Sequence, residues 1–182
     1  NEQVIDGIKF NSIDGKELNI RKPGEPWLPD YRVSIGVPHN SDPKIRLLNI
    51  VQENRAGIFI IPAPDSLTQP LSLLNYDQTV YNTNQYFPAS SAKVDGDFVM
   101  RYARIAVLSV APYQFNPVTR ELIMNKRIIL QIDFSIKHES GDEIINVTDS
   151  MTEEILRTSV INYEIAKNFM SKKSSSSTTR TL

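Results

Sequence analysis

The sequence predicts an all-β fold, an antiparallel β-sandwich followed by a short C-terminal helix and a flexible tail. Three observations predict it. Apolar and polar residues alternate along several stretches, which is the pattern of strands with one buried face. Clusters of Pro, Gly, Asn and Asp separate these stretches, as turns require. From residue 150 onward, the spacing of apolar residues becomes helical.

Alternation is clearest in residues 31–37 and 128–136, where every second side chain is apolar. The first stretch places on one face Tyr31, Val33, Ile35 and Val37. The second places on one face Ile128, Leu130, Ile132, Phe134 and Ile136. A helix does not produce a period of two, so both stretches are predicted to be strands.

Residues 98–113 and 122–136 are predicted to pair as an antiparallel hairpin. In this interpretation Phe98–Val110 is one long strand. The reversal falls in 115–122, where Asn116-Pro117 favours the start of a turn.

Residues Pro62–Pro88 have no clear period and contain no Lys or Arg. A connection this long in a compact domain is often a functional loop. It is equally consistent with a surface excursion or with short edge strands, and the sequence leaves both interpretations open.

The C-terminal part is predicted to be a helix over about 150–170. Ser150 and Glu153 have the spacing of a capping box. Several β-branched residues predict that this helix is short or broken around 158–161. Residues 1–170 are expected to form one domain, and the Ser/Thr-rich residues 171–182 a flexible tail or linker.

Composition argues against several function classes. Lys and Arg number 20 and Asp and Glu 21, a net charge of −1, whereas nucleic-acid binders show a basic excess. No apolar run approaches the roughly 20 residues that span a bilayer. Cysteine is absent, which excludes a thiol nucleophile and Cys-rich zinc sites. We therefore expect no cofactor, no nucleic-acid partner and no membrane span.

Few residues could carry out chemistry, and we predict no catalytic residue. His39 and His138 are expected to be solvated loop residues, since neither lies in a metal-binding or nucleophile motif. Asp95 and Asp97 are a weak calcium candidate, because the full calcium-loop pattern is missing. A turn leading into the next strand explains them better.

Tyrosines in the segment 75–87 allow another function. Tyr76, Tyr81 and Tyr86 could form a carbohydrate- or surface-binding patch of a non-catalytic β-sandwich module. The favoured explanation is that these side chains lie on a half-buried edge strand.

Several ordered pieces of sequence resemble the N-terminal propeptide of gingipain-type cysteine peptidases. They are "GEPWLPDYRVSIGVP" at 24–38, Tyr86-Phe87-Pro88, "APYQFNPVT" at 111–119, and "INYEIAK" at 161–167. The resemblance implies an all-β sandwich that helps the catalytic domain of its own precursor, a caspase-like cysteine peptidase, to fold. It also implies that the sandwich blocks the active-site cleft until it is cleaved off.

In that family, the resemblance implies, a basic side chain of the long loop enters the primary specificity pocket. This chain has no Lys or Arg between Arg55 and Lys93. The candidate inhibitory residues are therefore Leu67, Gln69 and Leu71. The cognate peptidase would then have another preference, or inhibition would be steric, or the domain would serve a relative such as a gingipain-like secretion-system sortase.

Processing positions also follow from the resemblance. Lys167 matches the basic junction residue of the family, and further candidates in the tail are Lys172, Lys173 and Arg180. The implied location is secreted or at the surface of a bacterium, after export through the periplasm.

Overall fold

The computed structural model describes residues 1–5, 7–13, 22–65, 75–136 and 149–169. Within these ranges the chain is mostly strand, with short helices. The strands are β1 (Glu2–Ile5), β2 (Ile8–Asn11), β3 (Tyr31–Gly36), β4 (Ser41–Ala56), β5 (Ala92–Met100), β6 (Ala103–Val110), β7 (Tyr113–Asn116) and β8 (Glu121–Ile136). The helices are α1 (Gln78–Tyr81), α2 (Ser150–Ser159) and α3 (Tyr163–Ala166).

The strands form a two-stranded sheet, β1-β2, and two three-stranded sheets with the orders β3-β6-β5 and β4-β8-β7. β1 pairs antiparallel with β2, and Gln3 lies opposite Phe10. β7 pairs antiparallel with β8, and Phe115 lies opposite Leu122. None of the helices in the described ranges has the length and apolar character needed to cross a membrane.

The chain divides into two compact units. The first comprises Asn1–Tyr31, Leu47–Lys93 and Ser109–Leu130, and the second Arg32–Arg46, Val94–Leu108 and Gln131–Leu182. The expectation of one domain over 1–170 stays a prediction, and the expected tail at 171–182 lies outside the described residues.

The first unit has an aromatic core. Its central buried cluster consists of Leu28, Ile60, Tyr81, Phe115, Leu122 and Met124. Phe59 packs against this cluster, with its ring centroid 5.5 Å from that of Tyr81 and 6.1 Å from that of Phe115. These edge-on contacts are the arrangement that aromatic pairs prefer.

The second unit contains two packed layers. Alternating residues of β3 and β6 face Ile45 of β4 and Ile132 and Phe134 of β8. Four residues of this layer are buried: Ile35 in β3, Val37 directly after β3, and Ala106 and Leu108 in β6. Sheets packed face to face with alternating inward residues form a β-sandwich, so the predicted fold class is confirmed.

Helices α2 and α3 cover a second cluster of this unit, and the predicted break in the C-terminal helix is confirmed. Between them Val160 forms a parallel bridge with Ser34 of β3. The predicted cap is wrong by one residue, because the N-cap is Asp149. Its Oδ1 accepts the Thr152 N–H at 2.7 Å and its Oδ2 accepts the Thr152 hydroxyl at 2.7 Å, so both carboxylate oxygens are used.

The prediction of one long strand over Phe98–Val110 is wrong. β5 ends at Met100, the chain reverses at Arg101 and Tyr102, and β6 begins at Ala103. Arg101 has a φ of 55°, in the region that favours Gly or Asn. The reversal carries no Gly, Pro or Asn, so no turn signal marked it. The predicted hairpin of 98–113 with 122–136 is also wrong, because β6 pairs with β3 and β5, whereas β8 pairs with β4 and β7. The turn at Asn116-Pro117 is confirmed, and it connects β7 to β8.

We predict that Arg101→Gly stabilises the protein. Because glycine adopts a positive φ without strain, the free energy of unfolding should increase by about 1 kcal/mol. This increase corresponds to a rise in Tm of roughly 2–4 °C. The lost ion pair with Asp149, 3.5 Å long and exposed, contributes little. Thermal unfolding checks the prediction.

Arg120→Gly is the matched control. Arg120 has a φ of 56°, but its guanidinium lies 5.1 Å from the Phe59 ring centroid. Its substitution removes a cation–π contact together with the strain, so we expect a smaller gain or none. Equal gains for both variants would contradict this explanation.

Candidate functional site

The segment predicted to contain the inhibitory residues has a well-defined base. Leu67, Gln69 and Leu71 themselves lie outside the described residues, in 66–74. The described flanks are 62–65 on one side and 75–88 on the other. The geometry of these flanks shows how the segment is attached to the first unit.

Gly24 joins the two flanks. Its N–H donates to the Ala63 carbonyl at 2.9 Å, and its own carbonyl accepts the Asp77 N–H at 2.8 Å. Ala63 in turn donates to the Glu25 carbonyl at 2.8 Å. Both flanks therefore meet at one residue of the Pro-rich stretch 22–29.

Only glycine fits at this position. Gly24 has a φ of +82°, which L side chains rarely adopt. A Cβ atom there would lie 3.0 Å from the backbone nitrogen of Asp77 and 3.4 Å from the carbonyl oxygen of Asn75. Because both neighbours are backbone atoms, a side chain would push one flank away from the other.

Charged side chains reinforce the same contact. The Lys22 ammonium lies 3.0 Å from Oδ2 of Asp77, whose Oδ1 accepts the Thr79 N–H at 2.9 Å and so caps α1. The hydrogen bond from Lys22, and then those from the N–H groups of Val80 and Thr79, lower the pKa of the Asp77 carboxyl. Its contribution to stability is therefore present at neutral pH and is lost as the pH falls through that lowered pKa.

The tyrosines of this region belong to the scaffold rather than to a binding patch. Tyr81 is buried, and its hydroxyl donates to the Ile60 carbonyl at 2.8 Å. Burial raises its pKa. Tyr86 donates to a Glu121 carboxylate oxygen at 2.9 Å, while Tyr76 is 41% exposed. The proposed three-tyrosine carbohydrate patch is thus wrong, because Tyr81 offers no face to a ligand. The edge-strand expectation is also wrong, since Tyr81 lies in α1.

A small cavity lies beside the base. It has a volume of about 30 Å³ and is lined by Trp27, Pro29, Ala63, Phe87 and Pro88, among others. This volume holds about one water molecule, so the cavity is too small for a sugar or a peptide side chain.

The acidic candidates face arginines. Asp97 Oδ2 lies 2.7 Å from Nε of Arg104, and Asp95 Oδ2 lies 3.8 Å from a guanidinium nitrogen of Arg32. Over the part of the chain that the structure describes, no three His, Asp or Glu side chains group as metal ligands would. Both carboxylates lie within β5, so the expectation of a turn at Asp95 and Asp97 is wrong. Calcium binding there stays a prediction from the sequence.

The structure describes only one of the two histidines. His39 lies in the turn after β3, as predicted for a loop residue, but the expectation that it is solvated is wrong in part. It is half-buried, and its Nε2 donates to the Tyr102 carbonyl at 2.8 Å. His138 lies outside the described residues.

Comparison with known proteins decides the family. The family model Propeptide_C25 matches residues 8–170, most of the chain. The chain belongs to the Propeptide_C25 family. The matched residues are therefore a propeptide segment and not a catalytic domain, in agreement with the resemblance.

Relatives of this Propeptide_C25 chain come from Porphyromonas gingivalis. Gingipain R1 is 26% identical over 178 residues, covering 88% of this chain and 18% of the relative. Gingipain R2 is 26% identical over 157 residues, covering 82% of this chain and 21% of the relative. The chain thus spans about a fifth of the length of the curated relatives it matches.

Solved structures share the fold of the Propeptide_C25 chain. A chain from the complex of P. gingivalis RgpB pro- and mature domains matches with a TM-score of 0.74 and 25% identity, covering 90% of this chain and 85% of that one. A structure on the zymogenic latency of gingipain K from P. gingivalis matches with a TM-score of 0.59 and 20% identity, covering 74% and 79%. The second likeness concerns the fold alone.

The predicted processing residue Lys167 lies at the C-terminal end of α3. Its N–H donates to the Tyr163 carbonyl at 2.9 Å, and its ammonium pairs with the Glu164 carboxylate. Ala166, directly before it, is fully buried. The peptide bond after Lys167 is thus part of a hydrogen-bonded turn, although Lys167 and Asn168 are themselves exposed. The other candidates, Lys172, Lys173 and Arg180, lie outside the described residues.

We predict that Gly24→Ala destabilises the Propeptide_C25 domain by about 2–3 kcal/mol, because strain at positive φ adds to a backbone clash. The expected result is a lower Tm and faster proteolysis between residues 63 and 77. Chemical unfolding and timed proteolysis with mass spectrometry measure both effects.

Gly57→Ala is the matched control, since Gly57 has a φ of +76° but no atom within 4 Å of the position that a Cβ would occupy. It should cost only about 1 kcal/mol and leave proteolysis at 63–77 unchanged. Indistinguishable behaviour of the two variants would show that the contact between Gly24 and the flanks is unimportant.

Proposed function

We propose that this chain is the propeptide of a gingipain-like cysteine peptidase and covers the active-site cleft of the catalytic domain in its own precursor. The observation that carries the proposal is the joint match in sequence and fold. The family match spans residues 8–170, and 90% of the chain aligns with a chain from a complex of pro- and mature domains. Fold alone would not support a function, but family membership and fold together do.

Inhibition of this kind needs a rigid scaffold and a presented segment, rather than a reactive group. Gly24 supplies the rigid attachment by bonding to Ala63 and Asp77. We assign to the segment between them the role of entering the cleft, with the contacts made by Leu67, Gln69 and Leu71. Anchoring both flanks before binding lowers the entropy that is lost on docking.

The amino-acid composition of this segment indicates the chemistry of the pocket that would receive it. Because no Lys or Arg lies between Arg55 and Lys93, an acidic pocket floor would gain no ion pair. The pocket would accept an apolar or amide side chain, or the segment would block the cleft by its bulk. The same absence favours one alternative, an accessory N-terminal domain of a gingipain-like secretion-system sortase.

Assistance in folding is the second part of the proposal. A domain that binds the native catalytic domain but not its unfolded chain stabilises the native state by mass action. Covalent linkage in the precursor raises the effective concentration, so moderate affinity is sufficient.

Release would follow cleavage after Lys167, or further along at Lys172, Lys173 or Arg180. Cleavage after Lys167 requires α3 to unwind, because the N–H of Lys167 donates to the Tyr163 carbonyl at the end of this helix. We further propose that the precursor is exported through the periplasm and acts outside a bacterial cell or at its surface. The bacterial origin of the relatives supports this location.

The direct test is titration of this chain against the mature catalytic domain encoded after it. We expect inhibition at submicromolar concentration, which an interface of standard size can provide. Replacing Leu67, Gln69 and Leu71 together by Asp should weaken inhibition about tenfold or more, since apolar contacts are lost. Lys44→Gln, on the exposed part of β4, serves as the control.

Gln69→Arg separates the remaining possibilities. Stronger inhibition would indicate an acidic pocket, and weaker inhibition an apolar one. No inhibition by the unchanged chain at micromolar concentration would contradict the inhibitory function. Full inhibition by the triple Asp variant would contradict the assignment of residues 67–71.

A further inference from the structure

Helix α3 and the turn directly before it present apolar side chains to solvent. Ile161 is 73% exposed and Ile165 is 68% exposed, whereas Tyr163 and Ala166 on the opposite face are buried. Large apolar side chains that are exposed singly need no explanation, but neighbouring ones often mark a binding surface. These two are neighbours, because both line the same groove.

The groove is open and has a volume of about 210 Å³. Its lining includes Arg157 and Val160 as well as the two isoleucines. The Arg157 guanidinium lies 5.7 Å from the Tyr163 ring centroid, which holds it along one side of the groove. We call this surface, formed by the exposed side chains of Arg157, Ile161 and Ile165, the α3 face.

The backbone of the α3 face is held firmly on the edge of β3. The side chain of Asn162 donates to the Gly36 carbonyl at 3.0 Å and accepts the Gly36 N–H at 2.8 Å. The N–H of Ile161 donates to the Ser34 carbonyl at 3.1 Å. A surface that is fixed before binding loses little entropy when a partner docks.

The chain's own C-terminal residues are unsuited to cover this face. Residues 171–182 read "SKKSSSSTTRTL" and contain a single large apolar residue, Leu182. About four-fifths of each gingipain relative lies outside the matched region. In the proposed precursor the catalytic domain follows α3 along the chain, and the tether keeps it at high effective concentration.

We propose that the α3 face docks on an apolar surface of the catalytic domain in the precursor, as a second contact besides residues 67–71. This inference rests on the proposed function and adds the position and chemistry of a second contact. It also links binding to release. Cleavage after Lys167 would require α3 to unwind, and unwinding would displace Ile165 from the α3 face, so the cut would weaken the docking that protects the cleft.

The test measures binding of the separately produced mature catalytic domain to this chain by titration calorimetry. The double variant Ile161→Ser/Ile165→Ser should bind about tenfold more weakly or worse, because two apolar contacts are lost. Ile161→Leu/Ile165→Leu should bind within about threefold of the unchanged chain, because volume and polarity are kept.

Val4→Ser/Val118→Ser is the matched control. These valines are 72% and 50% exposed and lie in the first unit. The control should bind like the unchanged chain. Circular dichroism melts of all variants show whether a loss of binding reflects loss of folding. The Leu variant, which keeps the apolar side chains, shows whether substitution at these two positions weakens binding by itself.

The outcomes distinguish this inference from the proposed function. Absence of binding by the unchanged chain would overturn both. Normal binding by the Ser double variant, with the unchanged chain still inhibiting, would overturn only the inference. Sedimentation adds a third outcome: a dimer that becomes a monomer in the Ser variant would assign the α3 face to a second copy and likewise overturn the inference.

Discussion

The proposed inhibitory segment depends on the backbone hydrogen bonds of Gly24. Its N–H and carbonyl bond to Ala63 and Asp77, so the two flanks cannot separate without breaking a hydrogen bond. A positive φ and close contact with backbone atoms disfavour any other residue at this position. The buried hydroxyl of Tyr81 adds a third attachment, at Ile60. The base is therefore rigid, and variation in residues 66–74 can alter specificity without altering the scaffold.

In the second unit, one C-terminal segment carries both the exposed isoleucines and the proposed cleavage position. Asn162 and Ile161 add the C-terminal segment to the edge of β3, which also protects that edge from pairing with another chain. The same segment carries exposed isoleucines on one side and the buried Tyr163 on the other. Cleavage near Lys167 would therefore affect packing and binding together. The proposed function requires no reactive group in this chain, because the chemistry would belong to the catalytic domain of the precursor.

Sequence reasoning succeeded where the signal is local and repeated. Alternation predicted β3 and β8, Asn116-Pro117 predicted its turn, and β-branched residues predicted the helix break. It failed where an element is too short to show a pattern, or where the interacting residues are far apart in the sequence. Helix α1 has four residues and so shows no period, and the reversal at Arg101 contains no turn residue. The role of Gly24 depends on partners about forty and fifty residues away, which no local pattern reveals. Family resemblance supplied the proposed function, since the motifs themselves carry no chemistry.

Hydrogen–deuterium exchange of this chain, free and bound to the mature catalytic domain, tests the central claim most directly. If the chain covers the cleft with the segment held by Gly24, peptides spanning residues 61–80 should become protected on binding, while β1 and β2 should not change. Protection confined to β1 and β2, with 61–80 exchanging as in the free chain, would contradict the account.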